Sequence, residues 1–202
     1  MPPQPTLRIL RAGWIMARAF TPHLLFAPLA LPWTVMSVIP GAIRRGLYLD
    51  ATRTGMVMLY RSRFLLDVLL AVPIVLVGMA FYFGVFLTLI GTVLPANIGG
   101  PVFLGTTLLL IVGMLFLLPR GGGAMFPFGP ETPKGDRWEA AGLAQLPGTR
   151  FTAIQLALQV IDTVAPAGSV IIATANSPKL LRQYVTFGFT EGKSSRVYKI
   201  VS

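Results

Sequence analysis

The sequence predicts a membrane α-helical hairpin, of two or possibly three transmembrane helices, joined to a small C-terminal α/β domain. Three observations predict it. Only 12% of the 202 residues are charged and mean hydropathy is +0.71, whereas a soluble domain is about one quarter charged. From Val68 to Pro119 there is no Asp, Glu, Lys, Arg or His. Beyond a Gly- and Pro-rich stretch, the last third alternates short apolar runs with helical periodicity.

The elements follow in order. Residues 7–20 read as a helix with Arg8, Arg11 and Arg18 on one side and Leu7, Leu10, Trp14 and Ala17 on an adjoining one, a pattern suited to lying in a membrane interface. Residues 20–39 are apolar but carry Pro22, Pro28 and Pro32, with Pro40 behind them. Interior prolines kink a helix, so this segment either crosses the bilayer or enters and returns. His23 is expected at headgroup level. Residues 41–63 hold Arg44, Arg45, Arg53, Arg61 and Arg63 against a single Asp50. Short loops rich in Arg stay in the cytoplasm, and with the N-terminal three these arginines are expected at the membrane surface.

Residues 68–94 are long enough to span, since about 20 helical residues cover the hydrocarbon. Residues 95–101 make an uncharged turn and 102–118 return. Ala80 and Gly84, and Gly105 and Gly113, are small residues at spacings that allow close helix packing. Asp67 is expected in a border salt bridge beside Arg63. By parity the C-terminal domain shares a side with the 41–63 segment, so it is expected on the cytoplasmic face of the inner (cell) membrane. If 20–39 enters and returns, every cation lies on that side; three crossings would put the N-terminus out.

Residues 120–137 read as a linker. Strands are expected at 138–143, 169–174 and 196–201. Helices are expected at 151–164, with Asp162 toward solvent, and from Pro178. The chain has no Cys and one His, which removes disulfides and most metal or triad chemistry; no metal is expected. The net charge of +10 is read as attraction to anionic headgroups rather than nucleic acid.

Tyr184-Val-Thr-Phe-Gly188-Phe189 resembles the Tyr-x-x-x-Gly-Phe signature of the GNAT acyl-CoA N-acyltransferase family. Pro147–Leu158 is similar to that family's strand-loop-helix, which holds the cofactor pyrophosphate. The likeness covers residues 138–193, the family's second half. It implies a CoA or acetyl-CoA site at Arg150, Phe151, Thr152, Ala153, Ile154 and Gln155, with Tyr184 either the acid that protonates the departing thiolate or a packed helix residue. Ala153 and Gln155 stand where the family has small residues, so the loop is degenerate. No first half is visible, which would leave a sheet edge open. On these grounds the chain is expected to be an accessory subunit. It would associate with other membrane subunits or with itself and hold no cofactor. The alternative is a membrane-anchored N-acyltransferase.

Overall fold

The computed structural model describes residues 3–117, 129, 131–175 and 177–201. Its helices are α1 (Ile9–Phe20), α2 (Ala27–Ile43), α3 (Phe64–Val93), α4 (Ala96–Leu115), α5 (Thr152–Val164) and α6 (Pro178–Thr186). Its strands are β1 (Leu47–Leu49), β2 (Gly55–Arg61), β3 (Arg137–Gln145), β4 (Val170–Thr174), β5 (Thr190–Glu191) and β6 (Arg196–Ile200). The strands form one mixed sheet in the order β1-β2-β3-β4-β6-β5. Only β3 and β4 run parallel.

The strands and helices expected after residue 137 are present, with β5 in addition. The open edge is not. Residues 41–63, expected as a basic loop, fold into β1 and β2 and pair against β3. The reason lies in Met56-Val-Met-Leu-Tyr60, an unbroken apolar run buried on both faces. Met56 and Met58 face α1 and α2, while Val57 and Leu59 face α5. The small α/β domain expected at 138–202 is therefore a larger unit that includes the N-terminal third.

α1 is packed on one side against α2 and the sheet. Its Ala12 and Ile15 are fully buried in the cluster that α1 and α2 form with the sheet, while Leu7 and Leu10 are 75% and 73% exposed. Its buried side is built of small residues, and a Cβ on Gly13 would lie 2.6 Å from Val35 of α2. Of the two alternatives for residues 20–39, the entry and return has no counterpart among the described residues. A 3₁₀ turn at Leu24–Phe26 runs into one continuous helix, with Pro28 in its first turn and Pro32 and Pro40 inside. α2 packs against α1 and the sheet on one side and against α3 and α4 on another, where a Cβ on Gly78 would lie 2.7 Å from Met36.

Three helices are long and apolar enough to cross a membrane, at Leu24–Ile43, Leu65–Val85 and Asn97–Leu115. α3 and α4 form the hairpin and present Leu65, Val77, Phe81 and Leu104 outward, each about 70% exposed. So large an apolar surface marks a membrane or partner contact. Tyr82 and Thr107 share a hydrogen bond of 2.8 Å between the two helices. Of the four small residues expected at helix contacts, Gly113 makes one. A Cβ there would run into the Leu29 carbonyl of α2, and nearby the Trp33 indole donates to the Leu110 carbonyl. Gly84 and Gly105 have nothing within 4 Å, and Ala80 is exposed. The linker lies mostly outside the described residues.

α2 ends in a tight reversal. The Gly46 amide bonds the Gly41 carbonyl and the Arg45 amide bonds the Ala42 carbonyl, the Schellman pattern. Gly46 then passes so close to Leu59 that a Cβ would meet its carbonyl oxygen. Gly46→Ala is expected to lower stability by about 1–3 kcal/mol. Gly84→Ala is expected to lower it not at all. Thermal melts in detergent check both.

Candidate functional site

β3 and β4 share only three rungs of parallel register, Arg137 with Val170, Trp138 with Ile171 and Glu139 with Ile172. Beyond them the strands part. The cause is in β3. Between Met56 and Met58 of β2, the facing residues of β3 shift from Ala144 to Ala141, one more than a regular ladder allows. The extra residue is a bulge at Gly142, whose φ of +60° suits glycine. A bulge bends its strand, and here it turns the end of β3 away from β4. Among the described residues no ladder joins 140–145 to β4, so the backbone amides and carbonyls inside the split are left for a ligand that carries its own. A crevice at the carboxyl ends of diverging parallel strands is where open α/β sheets bind ligands.

A cavity of about 450 Å³ lies at the mouth of this split. α5 begins there. Phe151 holds its N-cap in the left-handed region, φ +59°. The start of α5 is braced from below, since a Cβ on Gly55 would lie 2.9 Å from the Ala153 amide nitrogen. The Ala153 amide reaches the Gln145 side chain at 3.4 Å, and the Gln145 amide group donates to the Thr149 carbonyl at 2.7 Å. The Thr152 and Ile154 amides bond no partner among the described residues, as expected of a first helical turn. α6 also starts at the cavity, capped by Ser177, whose hydroxyl accepts from the Leu180 amide at 3.2 Å. Two helix N-termini, Arg150 and Lys179 face one space that no carboxylate lines. That arrangement attracts phosphate. Leu143, Phe151 and Leu180 add apolar wall.

Of the residues implied by the family resemblance, Arg150, Phe151, Ala153 and Ile154 line the cavity. Thr152 lies behind it, packed toward Gly55. Gln155 is exposed on the outer side of α5 and does not fill the phosphate position. The bulk at the loop is Phe151 instead, 46% exposed and edge-on to Phe187 at 6.3 Å between ring centres. Tyr184 does not line the cavity. It is 3% exposed, lies edge-on to Phe189 at 5.1 Å, and burial pushes its phenol up from the ordinary value.

Glu139 escaped the sequence reading. It occupies the last shared rung before the split, half-buried, directly across from Tyr60 of β2. The Arg44 guanidinium lies 4.4 Å above the Tyr60 ring and pairs with Asp67. Loss of water, then the Asp67 charge, push the Glu139 carboxyl up to about 7, with Arg44 pulling the other way. A signal was present: a lone carboxylate within the strand Arg137–Gln145. The surface arginines divide into groups. Arg11 donates to the Arg53 carbonyl at 2.8 and 3.1 Å, at the cavity end of the sheet. Arg44, Arg45, Arg61 and Arg63 sit at the opposite end, about 20 Å away along β2, where α3 begins. Arg8 is exposed at the N-cap of α1, whereas the Arg18 Nη1 is buried without a partner among the described residues. Asp67 does form a border salt bridge, with Arg44 rather than Arg63.

No family model matches the chain, nor does any curated protein or solved structure.

The Glu139 carboxyl holds its proton more tightly in the folded chain than at its ordinary 4.5. The stability it contributes is therefore complete below about pH 4.5 and is lost as pH rises through about 7. The melting temperature is expected to fall across that window, and Glu139→Gln to flatten the fall. An equal slope in the variant would count against the assignment.

Proposed function

We propose that this chain is a membrane-anchored acyltransferase that moves an acyl group from coenzyme A to an amine. The cavity at the split carries this reading. It combines two helix N-termini and two cations for phosphates, unpaired strand backbone for an amide-bearing arm, and no opposing carboxylate. The family resemblance around Tyr184–Phe189 points the same way, and α1, α2, β1 and β2 extend the sheet on the side where that likeness leaves an open edge.

The roles follow from position. The cofactor phosphates lie at Arg150, Lys179 and the start of α5. The acyl arm runs into the split toward Glu139. An acceptor approaches from the α1–α2 face, which Glu139 shares with Tyr60. A carboxylate titrating near neutral pH takes the proton of an attacking amine. The nitrogen attacks the thioester carbonyl, the carbon–sulfur bond breaks, and the thiolate leaves. Tyr184, packed against Phe189, is assigned to structure in this scheme. α3 and α4 cross the membrane and hold the sheet at the cytoplasmic face.

Calorimetry on the full chain in detergent tests the cofactor. Acetyl-CoA is expected to bind, and Arg150→Glu with Lys179→Glu to weaken it by about tenfold or more. No binding at millimolar acetyl-CoA excludes the reading. One observation favours a second reading, an accessory subunit whose α/β unit only docks: Tyr184 is buried and does not line the cavity at the split. Cofactor bound without turnover of any amine supports that second reading.

The chain has no Cys, so single cysteines report orientation cleanly. A thiol at Asn97→Cys is expected to label from outside intact cells, and one at Lys193→Cys only after permeabilisation. The opposite pattern overturns the orientation.

A further inference from the structure

A second cavity, of about 390 Å³, lies at the root of the hairpin, at the far end of the sheet from the first. Arg44, Arg45, Arg61 and Arg63 surround it, Trp138 lines it, and Leu66 of α3 forms its apolar wall. Two of the four cations are neutralised within the fold. Arg44 pairs with Asp67 and Arg61 with Asp136, the latter at 2.5 Å. Arg45 and Arg63 are exposed and form no ion pair among the described residues. The cavity therefore keeps two uncompensated guanidinium groups, each shaped to grip phosphate oxygens through paired N–H donors.

Arg45 also holds an unfavourable conformation. It occupies the left-handed position that closes α2, with φ +53°, where glycine is preferred. The neighbouring glycine, Gly46, is committed to the close passage by Leu59. A side chain kept at a strained position is one mark of a functional site, and Arg45 lines this cavity.

The surroundings say which anion fits. The exposed apolar surface of the hairpin begins beside the cavity, at Leu65, 72% exposed, and continues through Leu69, 60% exposed. A free phosphate would satisfy the arginines and leave the apolar wall bare. A molecule with a phosphate head and an acyl body uses both. We infer that this cavity seats the phosphate of an anionic phospholipid headgroup, with the acyl chains lying along α3. It rests on the reading of α3 and α4 as membrane-spanning. The bound lipid fixes the depth at which the sheet sits on the bilayer.

The test uses the full chain in mild detergent with equal phosphatidylglycerol and phosphatidylcholine, and native mass spectrometry counts the lipids retained. Wild type is expected to keep phosphatidylglycerol in preference. The preference is expected to fall about fivefold for each of Arg45→Gly and Arg63→Gln. Arg45→Gly removes the strained side chain, so it is expected to melt no lower than wild type, which separates lost binding from lost folding. Excess inorganic phosphate is expected not to displace the lipid. Equal retention by the variants, or displacement by inorganic phosphate, overturns the inference. A chain recovered from cells soluble without detergent overturns the membrane reading along with it. A chain found in membranes but showing no headgroup preference overturns this inference alone.

Discussion

The three-rung register between β3 and β4 is the constraint on which the candidate site depends. Parallel strands need a crossover, and α5 is that crossover, so its N-terminus must start where β3 ends. Had β3 followed β4 to its end, ladder bonds would have closed the space. Gly142 prevents this by inserting one residue against β2, which keeps its own pairing on both sides of the bulge. The bend is thus paid out on one edge of β3 only. The opening is then held by the contact between Gly55 and the first turn of α5. β2 thus sets the height of the helix start.

The same β2–β3 pair explains how an apolar hairpin can sit within an α/β sheet. Arg61 and Trp138 face each other at the end of the ladder, so the chain leaves and rejoins the sheet at one place. A tight turn would serve there. α3, α4 and the segment after them take its place, and insertions at such a connection leave the ladder intact. What fixes the insert to the sheet is polar: Asp67 in the first turn of α3 binds Arg44, and Arg44 covers Tyr60. Tyr60 stands opposite Glu139, so one row of side chains joins the root of the hairpin to the apex of the split. The high pKa of Glu139 comes first from burial, and Asp67 adds to it by opposing a second negative charge.

Legibility in the sequence followed the size of the signal. The helix at 151–164 and the strands beside it carry large apolar residues at regular intervals, and they were readable. The hairpin was readable from charge alone. The first half of the sheet was not, for a physical reason. Five arginines between residues 41 and 63 outweigh a five-residue apolar run in any count of polarity, yet strands buried on both faces need no more than that run. The packing of α1 was hidden in the same way, because its buried side is Ala12, Gly13, Ile15 and Ala17. The large leucines, Leu7 and Leu10, lie on the exposed side. Small residues bury helices by letting backbones approach, and a hydrophobicity pattern does not weigh approach. The split was beyond reach altogether, since it depends on a register between residues about 30 apart.

The loop at 145–155 shows where reading by resemblance alone misjudges a site. By the pattern of small residues, Gln155 is the damaging replacement. On a helix, however, position matters more than bulk. Phe151 is the N-cap, so Gln155 is a full turn on, and the side chains of one turn spread around the axis. Gln155 leaves toward solvent while Ala153 and Ile154 turn inward. The side chain that does narrow the space is Phe151, swung over the cavity by its left-handed backbone and held there by Phe187. An aromatic ring at that point removes room but no positive charge, and Arg150 and Lys179 still line the cavity. In the proposed reading Phe151 narrows the cavity, while Arg150 and Lys179 keep its attraction for phosphate.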